Sequence, residues 1–209
     1  MDGGYSYAAA DLKTKIDLVG EMLDASGSGR VLDIGCNTGY FSLLAAKKGF
    51  EVVATDSDAA VVGEVWREAT RQNANVLPLV VNLARPTPAI GWCNREGHSF
   101  LARAEKKFDG LLMLAVLHHL VITEGIPLRE VLALAARLTK DWVVLEYIAP
   151  EDRAFRNLCR GRDFSFLTQE YFESQLAPFF QIARKQTIAG THRTLYYLRG
   201  CRDGQVSTG

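Results

Sequence analysis

Arg30-Val-Leu-Asp-Ile-Gly-Cys-Asn-Thr-Gly-Tyr-Phe-Ser42 decides the fold of this chain. Val31–Ile34 is rich in branched apolar residues and lacks alternation, as a strand covered on both faces should. A short loop with a glycine at each end, Gly35 to Gly39, follows it, and Tyr40–Lys48 reads as a helix. A strand, a glycine loop and a helix N-terminus form a place where backbone N–H groups can meet a ligand. Asp33, two residues before the first glycine, can brace the loop and receive a cationic ligand. The stretch reads as the binding loop of a nucleoside cofactor.

Upstream, Ala10–Leu23 has the period of an amphipathic helix, with Leu12, Ile16, Val19 and Leu23 on one face. Ala25–Gly29 ends it. Downstream, Glu51–Thr55 reads as a second strand, and Asp58 suits the N-cap of a helix over Ala59–Gln72. Val76–Val81 is a third strand, which Pro78 places near a sheet edge. The long connection Asn82–Gly97 carries Ile90 and Trp92, so an ordered loop is expected there. Ser99–Lys106 reads as a short helix.

Phe108–Val116 is the most apolar run and should be the central strand, running into Leu117-His-His-Leu120. A helix over Leu128–Leu138 precedes a strand at Trp142–Tyr147. Helical pieces near Glu151–Leu158 and Thr168–Leu176 then lead to strands at Phe180–Ile188 and Thr194–Leu198. The turn between those strands, Ala189–His192, fits a hairpin. The pattern predicts an α/β fold: a Rossmann-like doubly wound sheet of about seven strands, mostly parallel with a C-terminal antiparallel hairpin. In such sheets ligands sit beyond the carboxyl ends of the strands. The expected organisation is a helical segment at 1–29, a domain at 30–200 and a flexible tail at 201–209.

The 209 residues suit one domain. A hydrophobic fraction of 48% with zero formal net charge argues against disorder and against a polyanion binder. The four cysteines show no C-x-x-C spacing, so reduced thiols in a cytoplasmic protein are expected. No apolar run approaches ~20 residues and no signal sequence opens the chain, so no membrane partner is expected. Arg153, Arg156, Arg160 and Arg162 are diluted by Glu151, Asp152 and Asp163, which makes nucleic acid an unlikely partner.

A dinucleotide site would show G-x-G-x-x-G with an acid about 20 residues on. Asp56 supplies the acid, and its geometry suits ribose hydroxyls, but the third glycine is missing. Asp33 would also repel a phosphate. The loop instead resembles the D-x-G-x-G-x-G motif of class I S-adenosylmethionine-dependent methyltransferases, with Asn37 in place of the middle glycine. Asparagine tolerates the left-handed backbone better than most residues, so the loop should survive.

The resemblance implies S-adenosylmethionine as cofactor and S-adenosylhomocysteine as product. It implies that Asp33, Gly35, Cys36, Asn37 and Gly39 cradle the amino-acid end and that Asp56 holds the ribose beside Ser57. Asn82 and Leu83 would meet the adenine, Leu114 and Ala115 would close the pocket below the methyl, and the N-terminal helix would lie over it. Gly91-Trp-Cys-Asn-Arg-Glu96 and Leu117-His-His-Leu120 are similar to a bacterial, nodulation-type branch of this class.

Methyl transfer is an in-line displacement that gains chiefly from positioning. A hydroxyl or amine acceptor also benefits from a base near neutral pKa, which suits His118 or His119. Adjacent strand positions point to opposite faces, so one of the two should reach the substrate. Glu96 is a further catalytic candidate, and Trp92, Asn94 and Glu146 are substrate-binding candidates. The competing expectation is a loop pinned by Trp92 and histidines that merely cap and pack. No metal site is expected, because Cys93 has no close-spaced companions. The expected activity is methyl transfer to an O or N atom of a small molecule. The alternatives are an RNA or protein methyltransferase and a non-catalytic S-adenosylmethionine-binding partner subunit.

Overall fold

Seven strands form one sheet in the order β3-β2-β1-β4-β5-β7-β6 in a computed structural model that describes residues 9–200. The expected tail at 201–209 and residues 1–8 lie outside the described residues. The strands are β1 (Arg30–Ile34), β2 (Glu51–Asp56), β3 (Val76–Val80), β4 (Phe108–Met113), β5 (Thr139–Ile148), β6 (Gln181–Thr187) and β7 (Arg193–Arg199). Strands β1 to β5 pair in parallel, and β7 lies antiparallel between β5 and β6. This is the doubly wound sheet with a C-terminal antiparallel hairpin that the pattern predicts. β3, which carries Pro78, is an edge strand, and Leu77 and Val80 on it are exposed.

Both faces of the sheet are covered, which explains the uninterrupted apolar runs. Leu111 and Val143 point into one core with Leu132 and Ala135 of α5 (Leu128–Leu138) and Phe172 of α7 (Gln169–Leu176). Their neighbours Leu112 and Val144 point the other way, against α1 (Ala9–Ser26) and α2 (Tyr40–Lys47), where Val19, Met22, Leu23, Phe41 and Ala45 meet them. The alternation of side chains across a strand makes both layers from one continuous run. At Gly110 the backbone of β4 lies against the indole of the buried Trp142, where a Cβ would collide. Asp58 caps α3 (Ala59–Gln72) by accepting from the Ala60 amide at 2.8 Å.

Two expectations about strand and loop are corrected. β4 stops at Met113 instead of Val116. Ala115 takes φ 55° and the chain turns, so His118 is helical (φ −66°, ψ −28°) and His119–Thr123 forms a π-helical turn. The apolar run continues through this turn because Leu117, Leu120, Val121 and Ile122 enter the same core as the strand. A buried strand and a buried helical turn are not separable by periodicity. The loop before α4 (Phe100–Ala104) is closed by backbone bonds between Ile90 and Gly97 of 2.9 and 3.1 Å. Trp92 pins nothing there: it is 80% exposed, on a turn where Cys93 and Asn94 both take positive φ.

Candidate functional site

The loop after β1 is fastened to the end of β2 by its own amides. Gly35 N–H and Cys36 N–H both donate to the Thr55 carbonyl, at 2.8 and 3.0 Å. Asn37 N–H donates to Asp56 Oδ2 at 3.0 Å, and Asp58 N–H donates to Asp56 Oδ1 at 3.0 Å. Gly39 N–H donates to the Cys36 carbonyl at 2.9 Å. Asn37 takes φ 48°, the left-handed conformation expected of it. Gly35 sits at φ 72° with the Val116 side chain against its α-carbon, so a Cβ would collide there. A carboxylate offers about four acceptor sites; the loop engages one of Asp56's through Asn37, and the Asp58 amide engages another.

Beyond the strand ends lies an open cleft of about 410 Å³. Gly35, Asn37, Asp56, Ser57, Asn82, Leu83 and Ala115 all line it, and so does His119. Asn82 Oδ1 accepts from the amides of Ala84 and Arg85 at 2.9 and 3.1 Å, which turns the chain at the cleft rim. Val61, Thr123 and Glu124 join the wall without having been expected. Thr123 and Glu124 arrive through the π-helical turn, which no sequence period announced. Val61 is on the first turn of α3, one residue beyond the capped amide.

Other expected residues lie elsewhere. Asp33 is buried at 2% exposure and accepts from the Ser42 hydroxyl at 2.6 Å, so it braces the loop from beneath. Cys36 packs its thiol among Ala54 and Val65, and burial pushes its pKa up. Gly39 sits against Val65, and Leu114 turns into the core shared with Val19 and Phe41. Trp92, Asn94 and Glu96 are exposed on a turn that reaches neither the cleft nor the cavity beside His118. Glu146 is fully buried and bonded to Lys15 Nζ at 2.6 Å, with Arg193 Nη1 at 3.9 Å. It lines neither the cleft nor the cavity beside His118. Arg193 is held by Asp152, the N-cap of α6 (Arg153–Cys159), with Nε to Oδ2 at 2.8 Å.

The two histidines separate. Their rings are 4.3 Å apart, but His119 lines the cleft, whereas His118 lines a second, apolar cavity. Burial pushes the His118 pKa down to about 3, helped by His119 and by the cations Arg193 and Lys15. Burial also lowers His119, while Asp56 pulls it back up. Burial therefore favours the neutral form of both imidazoles. His118 Nδ1 is buried with no hydrogen-bond partner among the described residues, an arrangement that costs about 1–3 kcal/mol.

Asp33 gives the site a pH signature. Burial raises its pKa from 3.8 to about 6, against the lowering effect of Ser42. The folded-state value lies above the unfolded one, so the fold holds the proton more tightly. That stabilisation is full below about pH 4 and is lost as pH rises through about 6. Asp33→Asn should therefore gain on the wild type by about 2–3 kcal/mol between pH 4 and pH 7, at ~1.4 kcal/mol per pKa unit. Urea unfolding across that range tests it, and parallel stability curves would count against the buried carboxylate.

These residues suit a sulfonium nucleoside better than a dinucleotide. Asp56 keeps acceptor capacity toward the cleft, the backbone at Gly35 admits close approach, and apolar Val61 and Leu83 line the wall. An acidic wall disfavours phosphate.

Comparison with known proteins agrees. A family model described as a methyltransferase domain matches residues 6–193. The nodulation protein NoeA of Rhizobium meliloti is 32% identical over 194 residues, covering 91% of this chain and 40% of NoeA. The chain thus spans well under half the length of that relative. Magnesium protoporphyrin IX methyltransferase from Synechocystis, solved with S-adenosylhomocysteine, superposes with a TM-score of 0.67 at 20% identity. That match covers 95% of this chain and 89% of the other. The N-methyltransferase NodS from Bradyrhizobium japonicum gives a TM-score of 0.67 at 14% identity, over 93% and 99% of the two chains. The chain belongs to the methyltransferase-domain family, among the class I S-adenosylmethionine-dependent methyltransferases.

Proposed function

We propose that this chain transfers a methyl group to an oxygen or nitrogen atom of a small molecule. The observation that carries the reading is the imidazole of His119 on the wall of the same cleft as Asp56 and Gly35. When bound, S-adenosylmethionine supplies an electrophilic methyl whose carbon–sulfur bond breaks with the electron pair left on sulfur. Asp56 would hold the ribose hydroxyls with its remaining acceptor sites, and Asn82 and Leu83 would flank the adenine. Gly35 and Asn37 would meet the amino-acid end through their backbones. His119 would accept the proton that a hydroxyl or amine acceptor releases as its new bond to carbon forms. The Synechocystis enzyme is a magnesium protoporphyrin IX methyltransferase, which supports a small acceptor, and the Bradyrhizobium enzyme is an N-methyltransferase, which supports a nitrogen atom.

The cofactor role is tested at Asp56. Asp56→Ala is expected to weaken S-adenosylhomocysteine binding by about 1.5–3 kcal/mol, as losing charged hydrogen bonds does. Calorimetry on wild type and variant reads this directly, with NAD as the control ligand. Wild-type affinity in the variant would remove the ribose role, and tighter binding of NAD would overturn the cofactor assignment. A labelled methyl-transfer screen across metabolite, protein and RNA fractions decides the acceptor class. Label incorporated only into macromolecules would overturn the small-molecule reading.

A further inference from the structure

Arg153, Arg156, Arg160 and Arg162 stand among Glu151, Asp152 and Asp163, so along the chain their charges nearly cancel. Folding separates them. Asp152 is committed to Arg193, whose Nε donates to its Oδ2 at 2.8 Å. After α6, Arg160 (φ 49°) and Gly161 (φ 83°) turn the chain back, and Arg162 N–H donates to the Cys159 carbonyl at 2.9 Å. The turn leaves an open hollow of about 440 Å³ lined by Pro150, Phe155, Arg156, Gly161, Arg162 and Phe164. Glu151 is not on its wall, and Asp163, which is, accepts from the Ser165 amide at 2.8 Å.

Arg162 is fixed by neutral groups. Its Nη2 donates to the Ile122 carbonyl at 2.7 Å and its Nε to the Cys159 carbonyl at 3.3 Å. Its guanidinium lies 5.2 Å from the centre of the Phe164 ring. Carbonyls orient a guanidinium without cancelling its charge, and the Nη1 donors stay available to a ligand. Arg156 has no side-chain partner among the described residues. Two guanidinium groups against one carboxylate leave the hollow positive, in a chain of zero formal net charge.

We propose that this hollow binds an oxyanion, the phosphate or carboxylate of a small molecule, between Arg156 and Arg162, with the molecule's apolar part against Phe164. Guanidinium groups match phosphate and carboxylate oxygens through paired N–H bonds. Two arginines suit a single anionic group better than a chain of phosphates, which engages many cations. The site goes beyond the methyl-transfer reading and meets it at one bond. Ile122, whose carbonyl orients Arg162, belongs to the π-helical turn that carries His119 and Thr123 to the cleft. Pro150 comes just after β5, so the hollow opens at the carboxyl edge of the sheet, as the cleft does. The oxyanion has two possible sources, the methyl acceptor itself or a free anion, and both are recognised by the same chemistry.

The test is a titration of phenyl phosphate, with inorganic phosphate alongside, into the full chain labelled with ¹⁵N-arginine at constant ionic strength. The expected result is a saturable shift of the Arg162 Nε resonance, tighter for phenyl phosphate than for phosphate and absent with benzyl alcohol. Arg156→Gln and Arg162→Gln should each weaken binding by about tenfold or more, as losing a charge-assisted bond does. Arg67→Gln, at an exposed position on α3, should bind as the wild type does. With an acceptor from the labelled-methyl screen in hand, competition by phenyl phosphate and a raised KM at unchanged kcat in Arg156→Gln assign the oxyanion to the acceptor. Phosphate that changes turnover without competing assigns it to a free anion. No saturable shift with either phosphate, or equal weakening in Arg67→Gln, would overturn the proposal. So would single-stranded RNA that binds more tightly than phenyl phosphate and is lost in the same two variants. Failure of S-adenosylhomocysteine to bind would count against the methyltransferase reading instead, and the phosphate titration still decides this inference.

Discussion

Replacing His119 with alanine is expected to lower turnover by about 10²- to 10⁴-fold, the usual contribution of a positioned general base. His119 opens the π-helical turn after β4 and lines the cleft together with Asp56, whereas its neighbour lines the apolar cavity. Burial favours the neutral His119 imidazole, which is able to accept a proton, and the Asp56 carboxylate favours the imidazolium that results. His118, pushed down to about 3, is too weak a base for that task. His119→Gln keeps a hydrogen-bonding group without the basicity and should be as slow as the alanine variant. S-adenosylhomocysteine binding, measured in parallel, separates lost chemistry from a lost site. Full turnover in both variants would end the assignment.

The second large effect is on stability. Lys15→Met should cost about 3–5 kcal/mol, the range for removing one partner of a buried ion pair. Lys15 and Glu146 have side-chain exposures of 3% and 0%, and their charged atoms lie 2.6 Å apart. The ammonium also sits 5.2 Å from the centre of the Phe41 ring, so one side chain ties α1 to α2 and to β5. Arg193 stands 3.9 Å from Glu146 and is bonded to Asp152 at 2.8 Å, so after the substitution Glu146 keeps a cation at longer range than Lys15. Urea unfolding of the single variant, of Glu146→Leu and of the double variant isolates the pair. The double variant should recover much of the loss, because no uncompensated charge remains. A loss below about 1 kcal/mol in the single variant would mean that the pair is effectively solvated.

Glu146 shows where sequence reasoning stopped. At the end of a strand that feeds the ligand-binding edge, a carboxylate reads as substrate-facing. Its partner is 131 residues away in a helix whose apolar face hides a lysine. Lys15 does fall on that face, three residues after Leu12 and four before Val19, but a lone lysine there reads as solvated. Trp92 failed for the opposite reason. A large ring in a long loop should be buried, but the bonds between Ile90 and Gly97 close that loop without it. Asp33 turns its carboxylate to the Ser42 hydroxyl and Leu114 turns into the core, because a side chain's face depends on the turn beneath it.

The sheet, the loop after β1 and the wall made by Gly35, Asn37, Asp56, Asn82 and Leu83 are legible without any long-range contact. Those features are written in local terms: apolar runs bounded by turns, glycines where a Cβ would collide, an asparagine that accepts φ 48°, and a proline that belongs at an edge. Only the tertiary structure decided which histidine faces the cleft and which carboxylates are buried. Adjacent residues with the same side chain carry no signal of their own to tell them apart. The positive φ at Ala115 and the packing of Leu117 and Leu120 into the core set the turn, and the turn assigns each imidazole its own environment.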